Sequence, residues 1–246
     1  MIRNNQVDCP AFSFWVDPAD NSKAELIMGS VDTSRFTGEI AWLPIDRRTP
    51  HQWTIPLSAI KVGDTILTAA TFSGVSISVF FDSGTSLILL PTAWAEAINQ
   101  MLNGTLDKEA NAYYFPCSGS LPSITISFPT KTDFFSFVMT PDVYALPAST
   151  NGMCRSAFQA TDINFGVIGN VLLRRYYTIF DSGYRRIGLA TPVSKGSVSS
   201  ASNSSYLCGW DVDILAAARY RSSAEMHLFS SFLISLHVVL VLYSFL

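Results

Sequence analysis

Between Ala24 and Ala190 the chain is a succession of short apolar or alternating runs, each cut off by Gly, Pro, Asp, Asn or Ser. They are AELIMGS (24–30), GEIAWLP (38–44), WTIPL (53–57), TILTAA (65–70), VSISVFF (75–81), SITISF (123–128), FFSFVM (134–139), YYTIF (176–180) and RIGLA (186–190). Most are four to seven residues long, which is the strand-and-turn pattern, so the fold class expected is all-β. Gly63-Asp64 and Ser182-Gly183 fall between adjacent runs and read as hairpin connections. The exceptions are one or two short helices. One is expected over Thr92 to Leu102, where Pro91 sits near a helix start and Ala95, Ile98 and Leu102 repeat at helical spacing. A shorter one is expected over Asn170 to Arg174.

Composition narrows the function classes. Sixteen Lys and Arg against 19 Asp and Glu leave a net charge of −3, which argues against a nucleic-acid partner. The apolar set reaches 48%, so global disorder is excluded, and 246 residues can bury a sizeable core as one large all-β domain or two small ones. Charged residues are only 14%, and part of that deficit lies in residues 228–246, LFSSFLISLHVVLVLYSFL, which contain no Asp, Glu, Lys or Arg. That run is long enough to reach across a bilayer. The N-terminal MIRNNQVDCPAFSFW has no apolar stretch of the length a secretory signal needs. After Pro192 the composition changes to SKGSVSSASNSSY, which cannot bury enough apolar area to order itself. The folded domain is therefore expected to end near residue 193, with a Ser-rich linker and spacer over 194–227 and the tail beyond it.

Four cysteines allow three fully paired connectivities. Cys117 and Cys154 flank two strand-like runs inside the domain, whereas Cys9 and Cys208 lie in its flanks, so a 117–154 disulfide is favoured. Asn103-Gly104-Thr105 and Asn203-Ser204-Ser205 are glycosylation acceptor patterns. Cysteines, acceptors and tail together favour the secretory pathway.

Asp82 leaves the strongly apolar VSISVFF run into Ser83-Gly84-Thr85-Ser86 and is followed by the apolar LILLP. A carboxylate there is ringed by hydroxyl and backbone donors able to orient it, although a bare Asp-Ser-Gly is by default only a turn. Asp181-Ser182-Gly183 also follows an apolar run, but Tyr-Arg-Arg and a returning strand come next, so that copy is read as a hairpin turn.

The segment VFFDSGTSLILLP resembles the second catalytic motif of pepsin-like aspartic proteases. The resemblance continues in order through the helix from Thr92, Cys117, the Ser120-Leu121-Pro122-Ser123-Ile124-Thr125-Ile126-Ser127-Phe128 stretch, Cys154, Val167-Ile168-Gly169-Asn170 and TIFDSGYRRIGLA. Upstream, MGSVDTSRFTGEIAWLPI resembles the opening of that family's C-terminal lobe, so the likeness covers roughly residues 10 to 192. It implies the C-terminal lobe of the bilobal acid-protease fold over 13–193, with 1–12 as the interlobe connection. Asp82 is then the second of two catalytic aspartates, which share one proton and activate a water for attack on the scissile amide. The optimum is accordingly expected to be acidic.

The same resemblance implies roles for the neighbours. Gly84 lets the loop backbone approach Asp82, Thr85 braces the loop against its counterpart in the other lobe, and Ser83 and Ser86 orient the carboxylate or bond substrate backbone. Phe80 and Val167 fall where the family lines primed-side pockets. Asn170 stands where many relatives have Asp. Cofactors and metals are not expected, since only His51 of three histidines lies in the folded region and no G-x-S-x-G occurs.

The partner implied is a peptide or protein substrate, and activity requires a second lobe with the other aspartate. No second D-T/S-G-T/S appears, nor a Tyr-bearing flap hairpin ahead of this lobe. The isolated chain is thus expected to be inactive, with Met1 internal to a longer protein. The alternative is a non-catalytic lobe that binds peptides or partners, and pairing of two copies ranks behind both. For the tail, a membrane span competes with a GPI signal. The GPI reading is favoured, with Ala216-Ala217-Ala218 as small residues, a polar spacer to His227 and no basic residue after Leu228.

Overall fold

A computed structural model describes residues 7, 9–50, 52–72, 74–148 and 152–194. His51, Asn203, Cys208 and the apolar tail lie outside the described residues, so the structure neither meets nor contradicts the expectations placed on them. The chain divides into two compact units, one made of Met1–Ile40 and Tyr176–Leu246, the other of Ala41–Arg175.

The first unit opens with β1 (Ala11–Asp17), β2 (Asp20–Met28) and β3 (Phe36–Pro44), the last of which runs on into the second unit. The second unit continues with β4 (Thr54–Pro56), β5 (Ala59–Val62), β6 (Thr65–Leu67), β7 (Ser78–Phe81), β8 (Ile88–Pro91) and α1 (Thr92–Met101). There follow β9 (Thr105–Asp107), β10 (Ala112–Pro116), β11 (Ile124–Pro129), β12 (Phe134–Met139), α2 (Pro141–Tyr144), β13 (Ala145–Pro147), β14 (Met153–Ser156), β15 (Phe158–Thr161), β16 (Gly166–Ile168) and α3 (Asn170–Leu173). The chain then returns to the first unit through β17 (Tyr177–Asp181) and β18 (Arg186–Pro192).

The first unit is a five-stranded sheet in the order β2-β1-β17-β18-β3. Its core side carries Trp15, Phe36 and Tyr177, all buried. The polar ends of these rings find partners: Trp15 Nε1 donates to the Val193 carbonyl at 3.0 Å, and the Tyr177 hydroxyl donates to Ser13 Oγ at 2.7 Å while accepting from the Asp32 amide at 2.8 Å. Buried ring N–H and O–H groups left unpaired would oppose folding, which is why each is tied to a fixed acceptor.

The Ser182-Gly183 segment is the hairpin between β17 and β18, with Asp181 opposite Arg186. Asp181 is fully buried and turned to structural use. Its carboxylate accepts from the Tyr184 amide at 3.0 Å and from Arg186 Nε at 2.9 Å.

The second unit holds three sheets, β13-β14-β10-β9, β12-β11-β5-β6 and β15-β8-β16-β7-β4. Phe81 of β7 meets Phe128 of β11 and Phe137 of β12, with centroids 5.7 and 6.3 Å away, so side chains from two sheets close one aromatic core. The helix predicted from its spacing forms, and Ala95, Ile98 and Leu102 are its buried stripe. Gly63-Asp64 joins β5 to β6 with Val62 opposite Thr65. Cys117 and Cys154 form a disulfide, with Cα atoms 5.1 Å apart, at the end of the β10–β14 pair.

Several expected runs shorten on folding, WTIPL to Thr54–Pro56 among them. TILTAA is a strand only over Thr65–Leu67 and then turns into a 3₁₀ segment over Ala69–Thr71, and VSISVFF pairs only from Ser78. Strands β13 to β16 have three or four residues each and gave no run signal. In β15 the buried Gln159 breaks the apolar pattern, because its Oε1 accepts from the Tyr113 amide at 2.9 Å and stitches β10 to β15.

Candidate active site

Period-2 alternation along β7 sends Val79 and Phe81 into the core and leaves Phe80 and then Asp82 on the opposite face. β16 lies beside β7 in parallel, with Gly166, Val167 and Ile168 opposite Val79, Phe80 and Phe81. Phe80 and Val167 are therefore direct neighbours across the ladder, and Phe165 closes on the Phe80 ring at 5.0 Å, edge to face. The pairing ends where the Asp82 amide donates to the Ile168 carbonyl at 3.0 Å.

Beyond that point the Asp82 side chain organises the loop. Oδ1 accepts from the Gly84 amide at 2.9 Å and Oδ2 from the Thr85 hydroxyl at 2.7 Å. With both oxygens engaged by donors from the next turn, the carboxylate plane is held against its own loop rather than free to rotate. The loop is in turn fastened to the start of α3. Asn170 N donates to the Thr85 carbonyl at 2.7 Å, Val171 N to the Ser86 carbonyl at 2.9 Å, and Asn170 Nδ2 to the Ser83 carbonyl at 2.6 Å.

This fastening depends on a residue with no side chain. A Cβ on Gly169 would stand 2.3 Å from both the Thr85 and the Leu87 carbonyl oxygens, so only glycine lets the two backbones approach.

The structure thus brings Phe80, Asp82, Ser83, Gly84, Thr85 and Val167 together, and Asn170 joins them through its side chain. Ser86 takes part through its carbonyl and is otherwise exposed. Asn103 is elsewhere, exposed at the end of α1 with a left-handed backbone (φ 56°).

Sequence reasoning missed a polar clamp beneath the site. The buried Asp46 accepts from Arg48 Nη2 at 2.7 Å, from the Arg48 amide at 2.9 Å and from the Ser78 hydroxyl, which opens the strand carrying Asp82. The Asp-x-Arg spacing just after β3 was the available signal. Hydrogen bonds from Arg48, helped by Ser78 and the Arg48 amide and opposed by burial, hold the Asp46 carboxyl down to about 2 from its ordinary 3.8. A depressed carboxylate contributes its stability above the unfolded value and loses it as pH falls through the folded one. Unfolding free energy of the chain is therefore expected to drop by about 2 kcal/mol for this group between pH 4 and 2. Asp46→Asn should remove that part of the slope in denaturant titrations across the window, and an unchanged slope would count against the clamp.

A profile of the eukaryotic aspartyl protease family matches residues 1–192. The chain is 32% identical to cathepsin E of Rattus norvegicus over 205 residues, covering 78% of this chain and 48% of that protein. It is 32% identical to cathepsin D of Dictyostelium discoideum over 201 residues, with 78% and 50% covered, and 33% identical to a probable vacuolar protease A of Arthroderma benhamiae over 201 residues, with 77% and 46% covered. The strand-borne Asp-Ser-Gly-Thr loop and the all-β lobe around it agree with that match, and the chain belongs to the eukaryotic aspartyl protease family. It spans about half the length of the curated relatives it matches.

Proposed function

We infer that this chain supplies the C-terminal half of an aspartic endopeptidase that cleaves peptide bonds at acidic pH. The observation that carries the reading is the Asp82 carboxylate, fixed by the Gly84 amide and the Thr85 hydroxyl at the end of β7. An aspartate so held can share a proton with a second carboxylate across a cleft and polarise a water between them. The water adds to the amide carbonyl, the dyad takes its proton, and the leaving nitrogen is protonated in return, with no covalent intermediate.

Ser83 and Gly84 shape the loop. Thr85, whose hydroxyl is already committed to Asp82, steadies the carboxylate as well as the loop edge. Phe80 and Val167, adjacent across β7 and β16, supply an apolar wall for primed-side residues, and Ser86 offers a hydroxyl to substrate backbone. Asn170 puts a neutral amide close to Asp82 where many relatives have Asp, a change expected to alter the pH profile without abolishing activity, and it keeps the fastening to Ser83.

One carboxylate cannot form the shared-proton pair, so the 246-residue chain alone is expected to release no product from an acid-range peptide substrate. Pepstatin-sensitive cleavage by the purified chain would overturn that expectation. Sequencing the native transcript upstream of Met1 tests the larger reading. An in-frame lobe with its own D-T/S-G supports the protease, whereas a true start at Met1 favours a peptide- or partner-binding lobe.

The same product is placed in the secretory pathway and at the cell surface, glycosylated at Asn103 and Asn203 and held by the 228–246 tail, with a GPI anchor preferred to a span. Exposure of Asn103 supports its use as an acceptor. Phospholipase release of the full-length protein from cells distinguishes the two anchors.

A further inference from the structure

Each sheet ends on two edge strands, and among the described residues all but one of these edges are blunted. β6 and β9 are three residues long, β4 and β13 end in Pro56 and Pro147, and β2 and β3 carry Lys23 and Glu39. At β15 the Phe158 carbonyl is taken by Asn99 Nδ2 of α1 at 3.0 Å. The exception is β12. Its six residues, Phe-Phe-Ser-Phe-Val-Met, hold no charge, Pro or Gly and pair with β11 in unbroken register.

Register fixes which groups this edge presents. In the turn between β11 and β12 the Thr130 amide donates to the Asp133 carbonyl at 2.8 Å, so these two residues form a hydrogen-bonded pair. Hydrogen-bonded and open pairs alternate along an antiparallel ladder, which makes Phe134, Ser136 and Val138 the open positions toward β11. The Ser127 and Ser136 hydroxyls lie 2.8 Å apart, the close side-chain approach that an open pair gives. The amides and carbonyls of Phe134, Ser136 and Val138 therefore point outward from the sheet. Their side chains are exposed as well, Phe134 by 63% and Val138 by 61%. Backbone donors, backbone acceptors and apolar groups thus share one solvent-facing strip.

We propose that β12 is the contact through which two copies of this chain pair, antiparallel and about a twofold axis at Ser136. The occupant follows from the symmetry of the strip. With Ser136 opposite its own copy, Phe134 falls opposite Val138 of the second copy and Val138 opposite its Phe134, so the strand is its own complement. The outward N–H and C=O groups of these residues then meet their counterparts, about six hydrogen bonds in all. The two Phe–Val pairs lie on the same face and flank the serines. A strand without charge meets no repulsion from its own copy. The product is one continuous sheet, β6-β5-β11-β12 joined to its twofold mate. A single strand pair falls below the roughly 1,200 Å² of stable interfaces, so the dimer is a weak one, with Kd on the order of 10–100 μM.

Sedimentation equilibrium of the full-length chain in density-matched detergent tests this. A reversible monomer–dimer equilibrium is expected for the unaltered chain. Ser136→Lys sets two ammonium groups face to face across the axis and should weaken the dimer by at least about tenfold, and Ser136→Glu should do the same with two carboxylates. Ser136 is exposed, so both changes leave the core untouched, and an unaltered circular dichroism spectrum checks that each variant is folded. Mixed in equal amounts, the two variants should regain the dimer, because unlike charges then face each other. An unaltered chain that stays monomeric to about 1 mM overturns the proposal and leaves the strip to an extended peptide of another protein. A dimer that Ser136→Lys leaves intact, or folded variants whose mixture does not regain it, overturns it too and places the contact on another surface. No step needs hydrolysis, so the result is independent of the role given to Asp82.

Discussion

Asp82→Asn in the two-lobe protease is expected to lower kcat/KM for an acid-range peptide by about four orders of magnitude, because the amide can neither share the proton nor accept one from the attacking water. The local structure should survive the change. The Asn carbonyl oxygen still accepts from the Gly84 amide, and the Thr85 hydroxyl can turn to accept from the new NH₂ where it donated to Oδ2. Unfolding free energy is therefore expected to move by no more than about 0.5 kcal/mol.

The second Asp-Ser-Gly copy provides the control. Asp181→Asn weakens a fully buried carboxylate's contact with Arg186 and should cost about 2 kcal/mol of stability while leaving kcat nearly unchanged. If Asp82→Asn retained activity within about tenfold, or lost it only by unfolding, the carboxylate would not be doing the chemistry.

The other large effect is expected from a methyl group. Gly169→Ala puts Cβ 2.3 Å from the Thr85 and Leu87 oxygens and 2.8 Å from the Thr85 carbonyl carbon. These are backbone atoms and cannot swing aside as a flexible side-chain tip would. Relief requires the Asp82 loop and the start of α3 to part, which breaks the bonds from Asn170 N and Val171 N to the Thr85 and Ser86 carbonyls. A loss of about 3 kcal/mol or more in denaturant unfolding is expected. In the two-lobe enzyme, activity should fall well beyond the folded fraction, because the carboxylate is no longer held. An unchanged midpoint would mean that the loops have slack which the close approach denies.

Features set by near neighbours in the chain are legible without the fold. The hairpins at Gly63-Asp64 and Ser182-Gly183 and helix α1 with its Ala95-Ile98-Leu102 stripe all depend on residues within about ten positions. Turn chemistry and apolar periodicity act over that range, so no tertiary partner is needed to recognise them.

The assembled site belongs to another scale. Val167 becomes the neighbour of Phe80 only through parallel register, Asn170 reaches Ser83 across a separation of 87 residues, and Asp46 grips Ser78 across 32. None of these pairings leaves a periodic trace, since each strand satisfies its own alternation whichever partner it meets. Strands as short as β16 carry too few residues for a period to register at all. The chain's own order of residues thus determined the all-β class, the turns and Asp82 as the carboxylate to watch. The fold alone decided the contacts that fasten that carboxylate's strand and loop, from Val167, Asn170 and the Asp46 clamp, because long-range register and close backbone approach depend on which segments meet.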